Sequence, residues 1–202
     1  MEGVFMQYQK REIKDIILST AREEFLKNGF EQASIRKITA SAKVSKSNLY
    51  NYFENKDALF AAVVAPTISV IKAGFEKMQT QNTEKSADSY SITAQKEVMQ
   101  NIVAFVLSHG DDLRLLLFRS SGSLLSDFKE RVTDGLASLL IDWISHAAPD
   151  KGISPFFIRS VAVFYIGVIE QMLVQGVNRE QVSRHFEEFL KFVYGGWENV
   201  LS

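Results

Sequence analysis

The chain has 202 residues, 46% of them hydrophobic, with three prolines, no cysteine and a net charge of −1. So high an apolar share excludes a disordered or fibrous chain and is enough for a sizeable helical core. The missing cysteine excludes disulfides, thiolate metal sites and iron–sulfur clusters, and near-neutrality excludes a general nucleic-acid coat.

The charge is nonetheless uneven. Residues 1–60 carry ten Lys/Arg against eight Asp/Glu, and the remainder thirteen against sixteen. Between Ser34 and Lys56 the bases are Arg36, Lys37, Lys43, Lys46 and Lys56, with Glu54 the one acid. A small basic patch on an acidic protein fits one defined polyanion site. The opening MEGVFMQYQKREIKDII mixes acids and bases and does not read as a signal peptide. The longest apolar run, Val161 to Ile169, stops at Glu170, at about half the length of a membrane span. A soluble, cytoplasmic protein that meets no membrane is expected.

Apolar residues at three- and four-residue spacing predict an all-α chain. A first helix carries Ile13, Ile16, Ile17, Ala21 and Phe25 on one side and ends at KNGF. There Gly29 is predicted to take the left-handed conformation of a Schellman ending, with Phe30 folding back on Phe25. Ser34 caps a short helix, IRKITASA, and Ser45 caps a second, KSNLYNYF, with only Lys43 and Val44 between them. Ile38, Ala42, Val44 and Leu49 lock the two at an angle, which makes a helix-turn-helix over about 34–53. Asn55 caps a long helix running from Lys56 toward residue 80, interrupted by Pro66, and TQNTEKSADS reads as a loop. Further helices are predicted at about 90–109, 111–120, 124–147, 155–177 and 179–200, the fourth of them started by Ser154-Pro155.

The segment from Ile13 to Val64 resembles the DNA-binding domain of the TetR family of bacterial transcriptional regulators. The pattern is carried by FLKNGFEQASIRKITASAKVSKSNLYNYFENKDALF: a Gly-aromatic helix ending, a hydroxyl cap, the helix-turn-helix, a Leu-Tyr-x-Tyr-Phe core and a following Lys. It departs from the pattern at Lys43, where the turn normally has Gly, and at Thr39, where Ala is commoner. The resemblance implies a three-helix DNA-binding domain over 8–66 and a larger helical dimerisation and ligand-binding domain over 67–202. It also implies a homodimer on a roughly palindromic double-stranded operator, released by a small-molecule effector.

A recognition helix turns one side to its own domain and the other to the major groove. Leu49 and Phe53 share the buried side of KSNLYNYF, leaving Lys46, Ser47, Asn48, Tyr50 and Asn51 outside. Asn48 and Asn51 donate and accept at once, as base edges require, and Lys46 suits phosphate or guanine. Tyr50 and Tyr52 combine a phosphate-reaching hydroxyl with a ring that covers sugar or thymine methyl. Ser34, Lys43, Ser45 and Lys56 complete the expected DNA-binding set, through hydroxyls, helix N-termini and charge. Tyr52 reads equally well as core, and Arg36 and Lys37 as a solvated face.

No catalytic residue, cofactor or metal is expected. His109, His146 and His185 are isolated apart from Glu188 near the last, and neither a Gly-rich phosphate loop nor a nucleophile elbow occurs. Phe105, His109, Arg114, Phe118, Trp143, Phe164 and Tyr165 are candidates for an effector pocket, with Arg119, Arg159, Phe156 and Phe157 as further neighbours, although aromatics at helical spacing are usually core. By resemblance, helix 155–177, with Ala162 and Gly167, and the last helix, with Phe186, Phe189, Leu190, Val193 and Trp197, form a four-helix dimer interface. Two other readings stay open: an activator or partner-controlled regulator with no small-molecule ligand, and a helical enzyme with a relic head.

Overall fold

The computed structural model describes residues 2–83, 92–175 and 179–201. Their regular elements are all helices, in the order α1 (Glu2–Gln32), α2 (Ile35–Ser41), α3 (Lys46–Tyr50), α4 (Lys56–Thr83), α5 (Ile92–Ser108), α6 (Gly110–Phe118), α7 (Phe128–Ala147), α8 (Pro155–Gln175) and α9 (Arg179–Leu201). An N-terminal helix-turn-helix domain is followed by a larger helical one, as expected. The chain divides into Met1–Val70 with Arg114–Phe128, and Ile71–Leu113 with Lys129–Ser202. The first unit therefore also takes 114–128, a stretch expected in the second. Of the expected loop TQNTEKSADS, Thr80–Thr83 complete α4 and the remainder lies outside the described residues.

In the first unit, Ile17, Ala21 and Phe25 of α1 are fully buried, whereas Ile16 is half exposed. The helix breaks at Gly29, but not in the expected way. Its φ of 73° is positive, yet a ψ of 167° is extended rather than left-handed helical, a region only glycine occupies readily. The Phe30 amide consequently donates not to its own helix but to the Arg119 carbonyl at 2.7 Å. Phe30 still returns to Phe25, the two rings stacked at 6.1 Å.

The Schellman geometry appears instead at the turn of the helix-turn-helix. Lys43 has a φ of 54°, Val44 N–H donates to Thr39 C=O at 3.0 Å and Lys43 N–H to Ala40 C=O at 3.3 Å. The departure from glycine leaves the turn intact and costs strain. Lys43→Gly is expected to stabilise the unit by about 1 kcal/mol, because glycine has no β-carbon to clash in this conformation. A far-UV circular dichroism transition that stays in place or falls would show the strain to be absent.

α3 is shorter than predicted. It stops at Tyr50, with Asn51 as its C-cap and Tyr52 in a turn, so KSNLYNYF is helical only over its first five residues. α4 passes Pro66 without interruption, its start capped by Asn55 Oδ1, which accepts from Ala58 N–H at 2.8 Å. α7 begins at Phe128 rather than 124, since Ser123 and its neighbours form turns.

The second unit is built on α7, α8 and α9. Leu140, Trp143 and Ile144 of α7 pack with Ile158, Ala162 and Tyr165 of α8 and Val193 and Trp197 of α9. Met172, Phe186 and Leu190 form a smaller cluster beside it. Gly135 is required for close approach, since a β-carbon there would lie 2.9 Å from the Phe75 ring. α8 and the Lys56–Thr80 part of α4 are each long and apolar enough to cross a membrane by length and composition, which the unbroken-run criterion misses. Each also buries side chains within the protein: Leu59, Phe60, Val63 and Val64 on α4, and Ile158, Ala162, Tyr165 and Ile166 on α8.

Candidate nucleic-acid interface

The recognition segment is fixed from below by Leu49, which is fully buried together with Ile38 of α2. Ser45 Oγ accepts the Asn48 amide at 3.0 Å and sets the start of α3. Above that anchor Lys46, Ser47, Tyr50 and Asn51 are exposed, as are Lys43 and Ser45 in the preceding turn, while Asn48 is half-buried. Lys46 Nζ lies 5.8 Å from the centre of the Tyr50 ring, within cation–π range. Tyr50 is thus the open phenol. Tyr52 is half-buried, its ring 6.5 Å from Phe53.

Two of the expected phosphate ligands also serve the domain's own structure. Ser34 Oγ accepts the Lys37 amide at 3.4 Å, and its own N–H donates to Glu24 Oε1 at 3.0 Å. Lys56 Nζ donates to the Glu31 carbonyl at 3.1 Å and sits 4.7 Å above the Phe30 ring. Burial lowers its pKa, opposed by the carboxylates of Asp57, Glu31 and Glu24. Lys56 therefore closes the end of α1 where a freely reaching phosphate ligand was expected. Arg36 and Lys37 are both exposed.

The expected effector residues are distributed over both units. Arg114 and Phe118 fall in the first unit. Phe105, in the last turn of α5, and His109, just beyond its end, stack on each other with ring centres 4.4 Å apart. Trp143 and Tyr165 are core, and Arg159 is ion-paired with Asp134 at 2.9 Å. Phe164 lines a groove. It is open, about 610 Å³ in volume, and shared with Gly167, Val168, Gln171, Met172, Gln175 and His185. Sequence reasoning missed the glutamines and this use of His185, because α8 is apolar nearly all round and its spacing does not mark the open side.

The expected dimer stripe is also redistributed. Ala162, Phe186, Leu190, Val193 and Trp197 are buried within the single chain. Among the described residues, the large exposed apolar side chains of the same helices are Phe156, Phe157, Val163, Phe164 and Val174 on α8 and Phe192 and Val200 on α9.

Residues 17–63 match the family model described as bacterial regulatory proteins, tetR family. The head is thus similar to the DNA-binding domain of the TetR family. The HTH-type transcriptional regulator UidR of Escherichia coli K12 is 39% identical over 59 residues, 29% of this chain and 30% of that protein. QacR of Staphylococcus aureus is 38% identical over 52 residues, 26% of this chain and 28% of that protein. The match thus spans under a third of these relatives' length. Over the whole chain the fold is similar to that of NalD, the secondary repressor of the MexAB-OprM multidrug efflux pump in Pseudomonas aeruginosa. The TM-score is 0.65 at 16% identity, over 91% of this chain and 95% of that one. It is also similar to FadR of Bacillus subtilis, crystallised with stearoyl-CoA, with a TM-score of 0.57 at 19% identity over 90% and 97% of the two chains.

Proposed function

We propose that the protein is a sequence-specific regulator that represses transcription from a palindromic operator and is released by a small-molecule effector. The observation that carries the DNA-binding reading is α3 itself. Leu49 is buried to 0% exposure while Lys46, Ser47, Tyr50 and Asn51 face solvent, a recognition helix seated on its own core with its reading side open. The ten-residue set Ser34, Lys43, Ser45, Lys46, Ser47, Asn48, Tyr50, Asn51, Tyr52 and Lys56 supplies the contacts. The exposed residues bear the reading, and Ser34 and Lys56 hold the frame as well.

A symmetric site needs two heads. The exposed aromatics of α8 and α9 form an apolar surface suited to a second copy of this chain, with open Gly167 permitting close approach. The groove beside Phe164, apolar with Gln171, Gln175 and His185 at its edges, suits an effector with an apolar body and a polar end. The acyl ligand of FadR is of that chemistry. The groove's openness favours, as a second reading, a regulator controlled by a protein partner in place of a small molecule.

The test is selection of bound sequences from a random duplex pool at fixed, near-physiological salt, since phosphate contacts alone mimic affinity when salt varies. The wild type is expected to enrich a two-fold symmetric site. Lys46→Ala/Asn48→Ala/Tyr50→Ala is expected to bind that site at least about tenfold more weakly, because base and phosphate contacts are lost together. Equal enrichment by the two proteins would remove α3 from the interface.

A further inference from the structure

We propose that Arg119–Leu124, well beyond the residues that match the family model, is a strap that positions the DNA-binding surface, with Asp57 as its anchoring residue. The inference rests on the DNA-binding reading above.

Three contacts tie the strap to the head. Phe30 N–H donates to Arg119 C=O at 2.7 Å, at the bond where Gly29 breaks α1. Leu124 N–H donates to Asp57 Oδ1 at 2.8 Å, in the first turn of α4. At Gly122, with a φ of 81°, a β-carbon would come within 3.7 Å of the Glu31 side chain, so the strap passes close to the end of α1. The strap also fixes its own shape: the buried hydroxyls of Ser120 and Ser123 donate to Leu116 C=O and Ser120 C=O, and Leu125 N–H donates to Ser123 Oγ.

The placement gives it a role beyond packing. Glu31 C=O holds Lys56 Nζ, and Lys56 and Asp57 are consecutive. The end of α1 and the start of α4 are thus clamped to each other by Lys56 and to one strap by Arg119 and Asp57. The turn that carries Asn51 and Tyr52 leads directly into this clamp. Release of the strap leaves the DNA-facing side chains present but less rigidly placed, and positioning errors of this kind lower affinity without altering what is read.

The experiment uses the full chain and the duplex enriched by the wild type, at a temperature where circular dichroism shows each variant folded. Asp57→Ala and Leu124→Pro, which remove the acceptor and the donor of one hydrogen bond, are each expected to weaken binding about tenfold. The double variant should be no weaker than either, since both break the same bond. Asp57→Asn keeps an acceptor and should restore most of the affinity. The enriched sequence and the slope of affinity against salt should not change, because no phosphate contact is removed. Should Asp57→Ala not fold, Leu124→Pro against Asp57→Asn carries the comparison. Unchanged affinity, additive losses or a changed salt slope would overturn the strap alone. A wild type that enriches no duplex would overturn the DNA-binding reading and the strap with it.

Discussion

Phe60→Ala is expected to destabilise the head by about 3–5 kcal/mol, the usual cost of emptying a buried aromatic site. Phe60 is fully buried on α4, edge-on to Phe25 at 5.0 Å and to Phe30 at 5.3 Å. Phe25 and Phe30 lie on opposite sides of the break at Gly29, so the one ring from α4 fastens both halves of α1. Lys56, one turn before it, covers Phe30 from outside. The loss is comparable to the whole stability of a small domain. Both tryptophans, Trp143 and Trp197, belong to the second unit, so their fluorescence does not report on the head. In urea, the far-UV circular dichroism of the variant should therefore show an early transition that tryptophan fluorescence lacks. Coincident early transitions in both signals would mean that the head does not melt by itself.

The head was legible in the sequence because its signals are local. Ser45 and Asn55 cap the helices they were expected to cap, Leu49 and Ile38 are the buried pair, and the Gly-Phe ending does break α1. The errors there concern degrees of freedom that residue type does not fix. Glycine at 29 announces a positive φ, but the ψ of 167° is set by Phe30 donating to Arg119, a residue far along the chain. The strap was invisible for the same reason. Two of its tethers use backbone groups, which every residue possesses, and a carboxylate in the first turn of α4 reads simply as a helix-dipole partner.

The second unit was legible as helices and illegible as surfaces. α8 is apolar nearly all round, so periodicity cannot separate the side that packs on α7 and α9 from the side left open. Ala162 and Trp197 were accordingly placed at a dimer interface and are in fact core, while Phe156 and Phe192, the more exposed rings, carry the open surface. Aromatic residues merge these roles further, because a ring lining a groove and a ring filling a core have the same spacing. Phe164 and Tyr165 are adjacent, yet the first lines the groove and the second is buried.

Tyr165 sets the second large effect. Its hydroxyl accepts the Trp197 indole N–H at 2.8 Å inside the core, where Trp197 also meets Trp143 edge-on at 5.1 Å. Trp197→Ala is expected to cost about 3–5 kcal/mol through lost packing. Tyr165→Phe, which keeps the ring and leaves the indole donor unpaired, should cost about 1–3 kcal/mol. The pH dependence separates this bond from packing. Burial pushes the Tyr165 phenol up to about 12, an effect the Trp197 hydrogen bond opposes, and burial raises Tyr194 to about 12 as well. An unfolded tyrosine ionises near its ordinary value of 10.0, so above that pH the unfolded chain releases protons that the folded chain retains. The stability tied to these phenols is complete below pH 10 and is lost as pH rises toward 12. Urea midpoints followed by tryptophan fluorescence should show the wild-type advantage over Tyr165→Phe narrowing across that interval. A gap that is constant from pH 8 to 12 would place Tyr165 ionisation outside the folding equilibrium and leave only the packing difference.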